Sequence, residues 1–183
     1  MSINLRPLNQ NDDNYTKVID LYKEAFTTAQ RIPTWVLKLK LRKGKAGFNV
    51  LYENDTWIGL IYTTKFEDIV LIHFLAICES FRSGGYGSKV MDAMKVMHGE
   101  KRIVLNIEKL DPQEKNFEQR VKRKAFYEKN GFSSSGYFVK EPGEELEMLI
   151  FGGCITKEEI EAMYKDLFGS IIDFLLRPKI IKV

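Results

Sequence analysis

The chain has 183 residues, a formal net charge of +3 and 44% hydrophobic residues, which is enough for one compact domain with a substantial core and excludes a disordered chain. Its apolar stretches fall short of the ~18 residues that span a bilayer, and its N-terminus lacks an apolar signal core, so we expect a cytoplasmic protein. Two cysteines and two histidines exclude a disulfide framework and predict no metal site.

The first half of the chain predicts a strand, helices and a meander of strands. Residues Ile3 to Leu8 predict a strand, and apolar residues at helical spacing up to Phe26 predict an amphipathic helix capped by residues 11–13. Residues 37–41 alternate as a strand would, but Pro33 is typical of a first helical position, so we predict a helix there. Three antiparallel strands follow over Phe48 to Glu53, Thr56 to Phe66 and Ile69 to Ile77.

The second half alternates helices and strands. Glycines lead into a helix with methionines at helical spacing, and Gly131 should end a strongly basic later helix. The sequence Thr156-Lys157-Glu158-Glu159 resembles a capping box that opens a C-terminal helix. The further predicted elements are a strand over Arg102 to Glu108, the basic helix over Phe117 to Asn130, and a final hairpin over Phe132 to Lys140 and Glu145 to Phe151.

The glycine-rich turn between Phe81 and Ser88 is the most informative feature. Glycines let backbone N–H groups close around an anion at the positive end of the following helix, so phosphate is the natural ligand. A Walker motif is excluded because Gly87 is followed by Ser88 and only then by Lys89. The turn matches the dinucleotide-binding fingerprint only in part, with Glu108 at the position of the downstream ribose-binding acid. The antiparallel meander before the turn argues against a dinucleotide-binding fold, because that fold places its glycine turn after its first parallel strand. The alternative is a glycine-containing surface turn that binds no ligand.

Two motifs together resemble the GNAT family of N-acetyltransferases: Arg82-x-x-Gly85-x-Gly87, and Phe126-Tyr127-Glu128-Lys129-Asn130-Gly131-Phe132 at the end of the basic helix. The resemblance runs from Ile3 to Gly153 and implies an α/β fold, a mixed, mostly antiparallel twisted sheet flanked by helices. It implies that the sheet opens between Ile69–Ile77 and Arg102–Glu108 to receive acetyl-CoA. We therefore predict an acetyltransferase domain over residues 1–153 and a C-terminal helical extension over 154–183, packed on the same domain.

The resemblance also implies the residues of the site. Backbone amides of the glycine turn would bind the pyrophosphate, and the end of the preceding strand would lie against the thioester, with an N–H near Ala76 or Ile77 for the oxyanion. Tyr127 would lie near the sulfur. Many members carry Asn and Ala where this chain has Arg120 and Arg123. The pattern of Glu108 with Arg120-x-x-Arg123-x-x-Phe126-Tyr127 instead resembles a poorly characterised bacterial branch. The cofactor residues so implied are Leu75, Ala76, Ile77, Arg82, Ser83, Gly84, Gly85, Tyr86, Gly87, Ser88 and Tyr127.

Acetyl transfer to an amine needs a proton acceptor for the amine and a proton donor for the leaving thiolate. Tyr127 is the candidate donor, with a plain packing role as its alternative. Glu108 is favoured as base or amine anchor, but it could equally pair with Arg120 or Arg123. The other candidate bases are His73, which a core or hydrogen-bonded role explains better, Glu79 and Glu147.

The predicted function is transfer of an acetyl group from acetyl-CoA to a primary amine of a small molecule or peptide. A non-catalytic acyl-CoA sensor is the alternative. Basic runs over residues 38–45 and 120–124 raise a nucleic-acid hypothesis, but solvated basic helix faces explain them better, so no nucleic acid is expected. The apolar tail over residues 171–176 is suited either to cover the sheet or to contact a second subunit in a homodimer.

Overall fold

A computed structural model describes residues 3–9, 14–26, 31, 46–141, 144–168 and 178–182. The chain forms two compact units, one of Met1–Lys65 with Ile72–Gly99 and one of Phe66–Leu71 with Glu100–Val183. The predicted cap over residues 11–13, the helix after Pro33 and the apolar tail over 171–176 lie outside the described residues.

In its described residues, the first unit is built from a meander of strands and two α-helices. Strand β1 pairs antiparallel with β2, and β2 pairs antiparallel with β3, so β1, β2, β3 and β4 follow one another in chain order. The turn between β2 and β3 places Asn54 at a φ of +55°, which an asparagine tolerates better than most residues. The elements are β1 (Ile3–Pro7), α1 (Tyr15–Ala25), β2 (Ala46–Glu53), β3 (Thr56–Phe66), β4 (Ile69–Ile77, whose first three residues belong to the second unit), a 3₁₀ turn (Glu79–Phe81) and α2 (Tyr86–His98).

Aromatic residues make the core of the first unit. Tyr22 of α1 is fully buried, and its ring lies 5.0 Å from that of Phe74 and 6.1 Å from that of Phe48 in edge-on contacts. Such edge-to-face pairs stabilise the packing beyond the area they bury. Helix α1 is therefore held against β2 and β4 by its apolar face.

The second unit contains the remaining strands and helices. Strand β7 lies between β5 and β6, strand β8 pairs with the far side of β6, and all three pairings are antiparallel. Strand β8 was not predicted. The elements are β5 (Arg102–Glu108), α3 (Phe117–Lys129), β6 (Ser133–Glu141), β7 (Glu144–Phe151), α4 (Lys157–Phe168) and β8 (Lys179–Lys182).

The start of α4 is fixed by its cap and by an arginine. Thr156 N–H donates to Glu159 Oε2 at 2.8 Å and Glu159 N–H donates to Thr156 Oγ1 at 3.2 Å, which confirms the predicted capping box. Arg102 donates to Glu159 at 2.8 Å and to both carboxylate oxygens of Asp68 at 2.7 and 2.8 Å. Arg102 thereby ties the beginning of β5 to the beginning of α4.

The fold class is the predicted one, a mixed α/β protein with mostly antiparallel strands flanked by helices. Within the described residues there are eight strands and four α-helices. None of those helices has the length and apolar character that a membrane crossing requires.

Candidate functional site

The glycine turn of the first unit presents open backbone at the start of a helix. Ser83 has a φ of +63° and Gly85 a φ of +76°, and α2 begins at the next residue, Tyr86. A Cβ placed on Gly85 would meet no atom within 4 Å among the described residues, and no side chain there caps the helix. The first N–H groups of an α-helix have no partner within the helix, so this positive end is free to bind an anion.

The turn is tied back to the end of β4. Arg82 Nε donates to the carbonyl oxygen of Ile77 at 3.1 Å, so the guanidinium anchors the turn to the last residue of the strand. The predicted cofactor residues Leu75, Ala76 and Ile77 lie in the same unit as the glycine turn, at the end of the strand that leads into it.

Gly59 is a residue that the sequence analysis did not single out. A Cβ at Gly59 would come 2.2 Å from the carbonyl oxygen of Ala76, a clash with backbone that cannot be relieved by a side-chain rotation. The glycine allows β3 to approach β4 closely at Ala76. A glycine inside a strand pattern is the signal that could have found it.

In the second unit, Glu108 is buried and ion-paired. It is 6% exposed at the end of β5, and Arg123 Nη1 donates to its Oε2. Of the two arginines that the sequence left open as partners, Arg123 is the one that makes the contact. The guanidinium stabilises the charged form of the carboxylate.

Arg120 has a different role from Arg123. Its Nε donates to Asn116 Oδ1 at 2.9 Å and its Nη1 donates to the carbonyl oxygen of Lys109 at 2.8 Å. These bonds hold the loop between β5 and α3 against the helix. Arg120 is thus a structural brace of the loop that follows Glu108.

Glu147 has the same kind of environment as Glu108. It is 5% exposed on β7, and Lys124 Nζ lies 2.9 and 2.8 Å from its two carboxylate oxygens. Two consecutive basic residues of α3 therefore neutralise two buried carboxylates on neighbouring strands.

Tyr127 lies near the end of α3 among aromatic rings. Its ring centroid is 5.0 Å from that of Phe126 and 5.7 Å from that of Phe132. Burial raises the pKa of its hydroxyl, and the charge of Arg123 lowers it by a smaller amount. The hydroxyl is protonated at neutral pH and is chemically able to donate a proton.

The motif around Tyr127 is explained by the helix end. Asn130 Nδ2 donates to the Phe126 carbonyl at 2.7 Å, Gly131 has a φ of +83°, and Phe132 N–H donates to the Tyr127 carbonyl at 3.1 Å. Asn-Gly-Phe therefore closes α3 and fixes the backbone that carries Tyr127.

The other candidate bases are placed differently. His73 Nε2 is hydrogen-bonded to Thr64 Oγ1 at 2.8 Å beside the Tyr62 ring, the hydrogen-bonded role that the sequence favoured. Glu79 is exposed at the start of the 3₁₀ turn. Among the described residues, no group of three or more His, Cys, Asp or Glu could hold a metal ion.

Comparison with protein families gives a match over residues 44–134 to the acetyltransferase (GNAT) domain, a span that contains both predicted motifs. The chain contains a GNAT acetyltransferase domain. It is an N-acetyltransferase that uses acetyl-CoA as the acyl donor. Comparison with proteins of curated function gives no match.

Solved structures share the fold of this GNAT acetyltransferase. A protein described as a GNAT acetyltransferase from Bacteroides thetaiotaomicron is 21% identical, with a TM-score of 0.77 over 92% of this chain and 98% of that one. An aminoglycoside 6'-N-acetyltransferase complexed with coenzyme A is 14% identical, with a TM-score of 0.60 over 82% and 96%. A GNAT acetyltransferase from Elizabethkingia anophelis with acetyl-CoA bound is 14% identical, with a TM-score of 0.56 over 82% and 97%.

Proposed function

We propose that this GNAT acetyltransferase transfers the acetyl group of acetyl-CoA to a primary amine of a small molecule or peptide by direct attack on the thioester. The observation that carries the proposal is the start of α2, which has no side-chain cap and follows Ser83 and Gly85, both with left-handed φ values. The backbone amides from Arg82 to Ser88 would bind the pyrophosphate, and Leu75 to Ile77 would lie along the thioester arm.

The chemistry needs two proton transfers. The neutral amine nitrogen bonds to the thioester carbonyl carbon, the carbon–sulfur bond breaks, and the products are an amide and the free thiol of CoA. A group on the enzyme takes one proton from the amine nitrogen, and a second group returns one to the thiolate sulfur. We assign the second role to Tyr127, because its raised pKa keeps the hydroxyl protonated at neutral pH.

Glu108 is assigned to the amine, as its base or its anchor. The Arg123 guanidinium donates to its Oε2, and a guanidinium at this place favours the charged form of a carboxylate. A charged carboxylate attracts a protonated amine and can accept its proton. An acceptor that is an amine-bearing small molecule is also the substrate class named for the aminoglycoside acetyltransferase of the same fold.

Two measurements on the purified chain test the proposal together. Calorimetry measures acetyl-CoA affinity, and a thiol reagent follows release of free CoA with a panel of amines that includes aminoglycosides, polyamines and short peptides. We expect binding together with thiol release that depends on one amine class. Binding with no release for any amine would instead support the acyl-CoA sensor. DNA retention that falls with salt, with no acetyl-CoA binding, would support the nucleic-acid alternative.

A further inference from the structure

The side chain of Tyr86 supports the glycine turn from within. A Cβ on Gly84 would come 3.0 Å from Cε2 and 3.1 Å from Cδ2 of the Tyr86 ring, so the ring lies directly against the Gly84 backbone. The ring also meets Phe81 edge-on, with 5.4 Å between centroids. The Tyr86 ring therefore packs against the turn at both Phe81 and Gly84.

The Tyr86 ring is held in turn by Glu53, at the end of β2. The Tyr86 hydroxyl donates to Glu53 Oε2 at 2.9 Å, and Lys89 Nζ donates to Oε1 at 2.6 Å. The Lys89 ammonium also lies 4.6 Å from the centre of the Tyr86 ring. The side chain of Glu53 is only 11% exposed. The hairpin between β2 and β3 is thus bonded to the first turn of α2.

A carboxylate at this place is unfavourable on charge alone. A negative group one side chain away from a phosphate-binding turn repels the ligand, and Lys89 offsets that repulsion by pairing with it. The hydrogen bonds from Lys89 and Tyr86 lower the pKa of Glu53, and Glu53 raises the pKa of Lys89, so the pair is ionised at neutral pH. The benefit of Glu53 must therefore come from geometry.

We propose that Glu53 is a positioning residue for acetyl-CoA. By holding the Tyr86 hydroxyl, it keeps the Tyr86 ring against Gly84 and the Ser83 to Gly85 backbone in its anion-binding form. This inference rests on the proposed function, because it takes that turn to be the pyrophosphate site.

The test compares acetyl-CoA affinities by calorimetry for Glu53→Ala, Tyr86→Phe and the double variant. Each single variant is expected to weaken binding about tenfold, the order of one hydrogen bond to a charged group. The double variant should bind acetyl-CoA no more weakly than the weaker-binding single variant, because each single variant already breaks the same hydrogen bond. Glu53→Gln keeps one acceptor oxygen and should recover part of the affinity.

The matched control is Asp92→Asn on the same helix. The Asp92 side chain is 70% exposed and pairs with Lys95 at 2.9 Å. The substitution therefore removes a carboxylate charge and an ion pair with a lysine without altering the turn. Its affinity should equal that of the wild type. Once an acceptor is known, the KM for acetyl-CoA should rise in Glu53→Ala while kcat stays near the wild-type value.

The outcomes separate the proposal from its alternatives. Tighter binding by Glu53→Ala would mean that Glu53 acts through its charge, and a lower melting temperature with unchanged affinity would mean that it only stabilises the fold. Either result overturns the positioning role and leaves the proposed function standing. Wild-type protein that fails to bind acetyl-CoA overturns both.

Discussion

The glycine turn of the first unit and the buried carboxylates of the second unit differ in whether side chains of the protein pair with their polar groups. At the turn, Gly85 faces open space and the helix start carries no side-chain cap. In the second unit, Glu108 and Glu147 are buried, and each has a basic partner from α3. The first N–H groups of α2 thus have no side-chain cap, whereas burial and pairing alone do not distinguish a catalytic carboxylate from a structural one.

The largest effect is expected at the turn itself. Gly85→Glu should abolish acetyl-CoA binding, because a side chain and a negative charge enter where backbone must approach phosphate. Gly136→Glu is the matched control, since Gly136 has a φ of +79° and equally open space around it. Both variants carry the same backbone strain and the same charge. Calorimetry that finds equal affinities for the two folded variants would contradict the pyrophosphate site.

The second comparison separates the two buried carboxylates. Glu108→Gln should lower turnover with a real acceptor by about 10²–10⁴-fold, the usual contribution of a general base, with little change in acetyl-CoA affinity. Glu147→Gln should lower the melting temperature and leave turnover near normal, because it removes the negative charge that pairs with Lys124. If Glu108→Gln also lowers the melting temperature and leaves turnover near normal, Glu108 forms a structural ion pair only.

A smaller effect is expected for Tyr127→Phe. The ring and its contacts with Phe126 and Phe132 are kept and only the proton is lost, so turnover should fall about hundredfold while affinity and stability hold. The effect is at the low end because water can replace the phenol. Tyr137→Phe, at a partly buried tyrosine of β6, should be silent in both assays. Wild-type turnover by Tyr127→Phe, with chemistry limiting the rate, removes Tyr127 from the mechanism.

The smallest effect concerns stability against pH. Arg102 lowers the pKa of Asp68 and of Glu159, so these pairs stabilise the fold above the pH at which free carboxyls ionise. That stabilisation is lost as pH falls below about 4. Arg102→Met should melt a few degrees lower than the wild type at pH 7, and the gap should narrow toward pH 3. A gap that stays constant across that range would show that Arg102 acts through packing.

Local signals in the chain predict most of the helices and strands of the second unit. Arg102 to Glu108 was predicted with the observed bounds of β5, and the capping box of α4 forms the two bonds that its residue spacing predicts. Gly131 ends α3 for the same reason, because its left-handed φ is set by neighbours in the sequence. Strand β8 was missed because only pairing with β6 makes four residues a strand.

The amino-acid sequence by itself determined the order of elements, the glycine turn and the two motifs that mark the family, because helix caps, strand alternation and left-handed glycines depend on residues close in the chain. Only the tertiary structure decided which partners the charged residues take. Arg123 rather than Arg120 reaches Glu108, and Glu53 on β2 reaches Tyr86 on α2 across 33 positions. Such contacts depend on how segments distant in the sequence pack together, and the spacing of charges along the chain does not determine that packing.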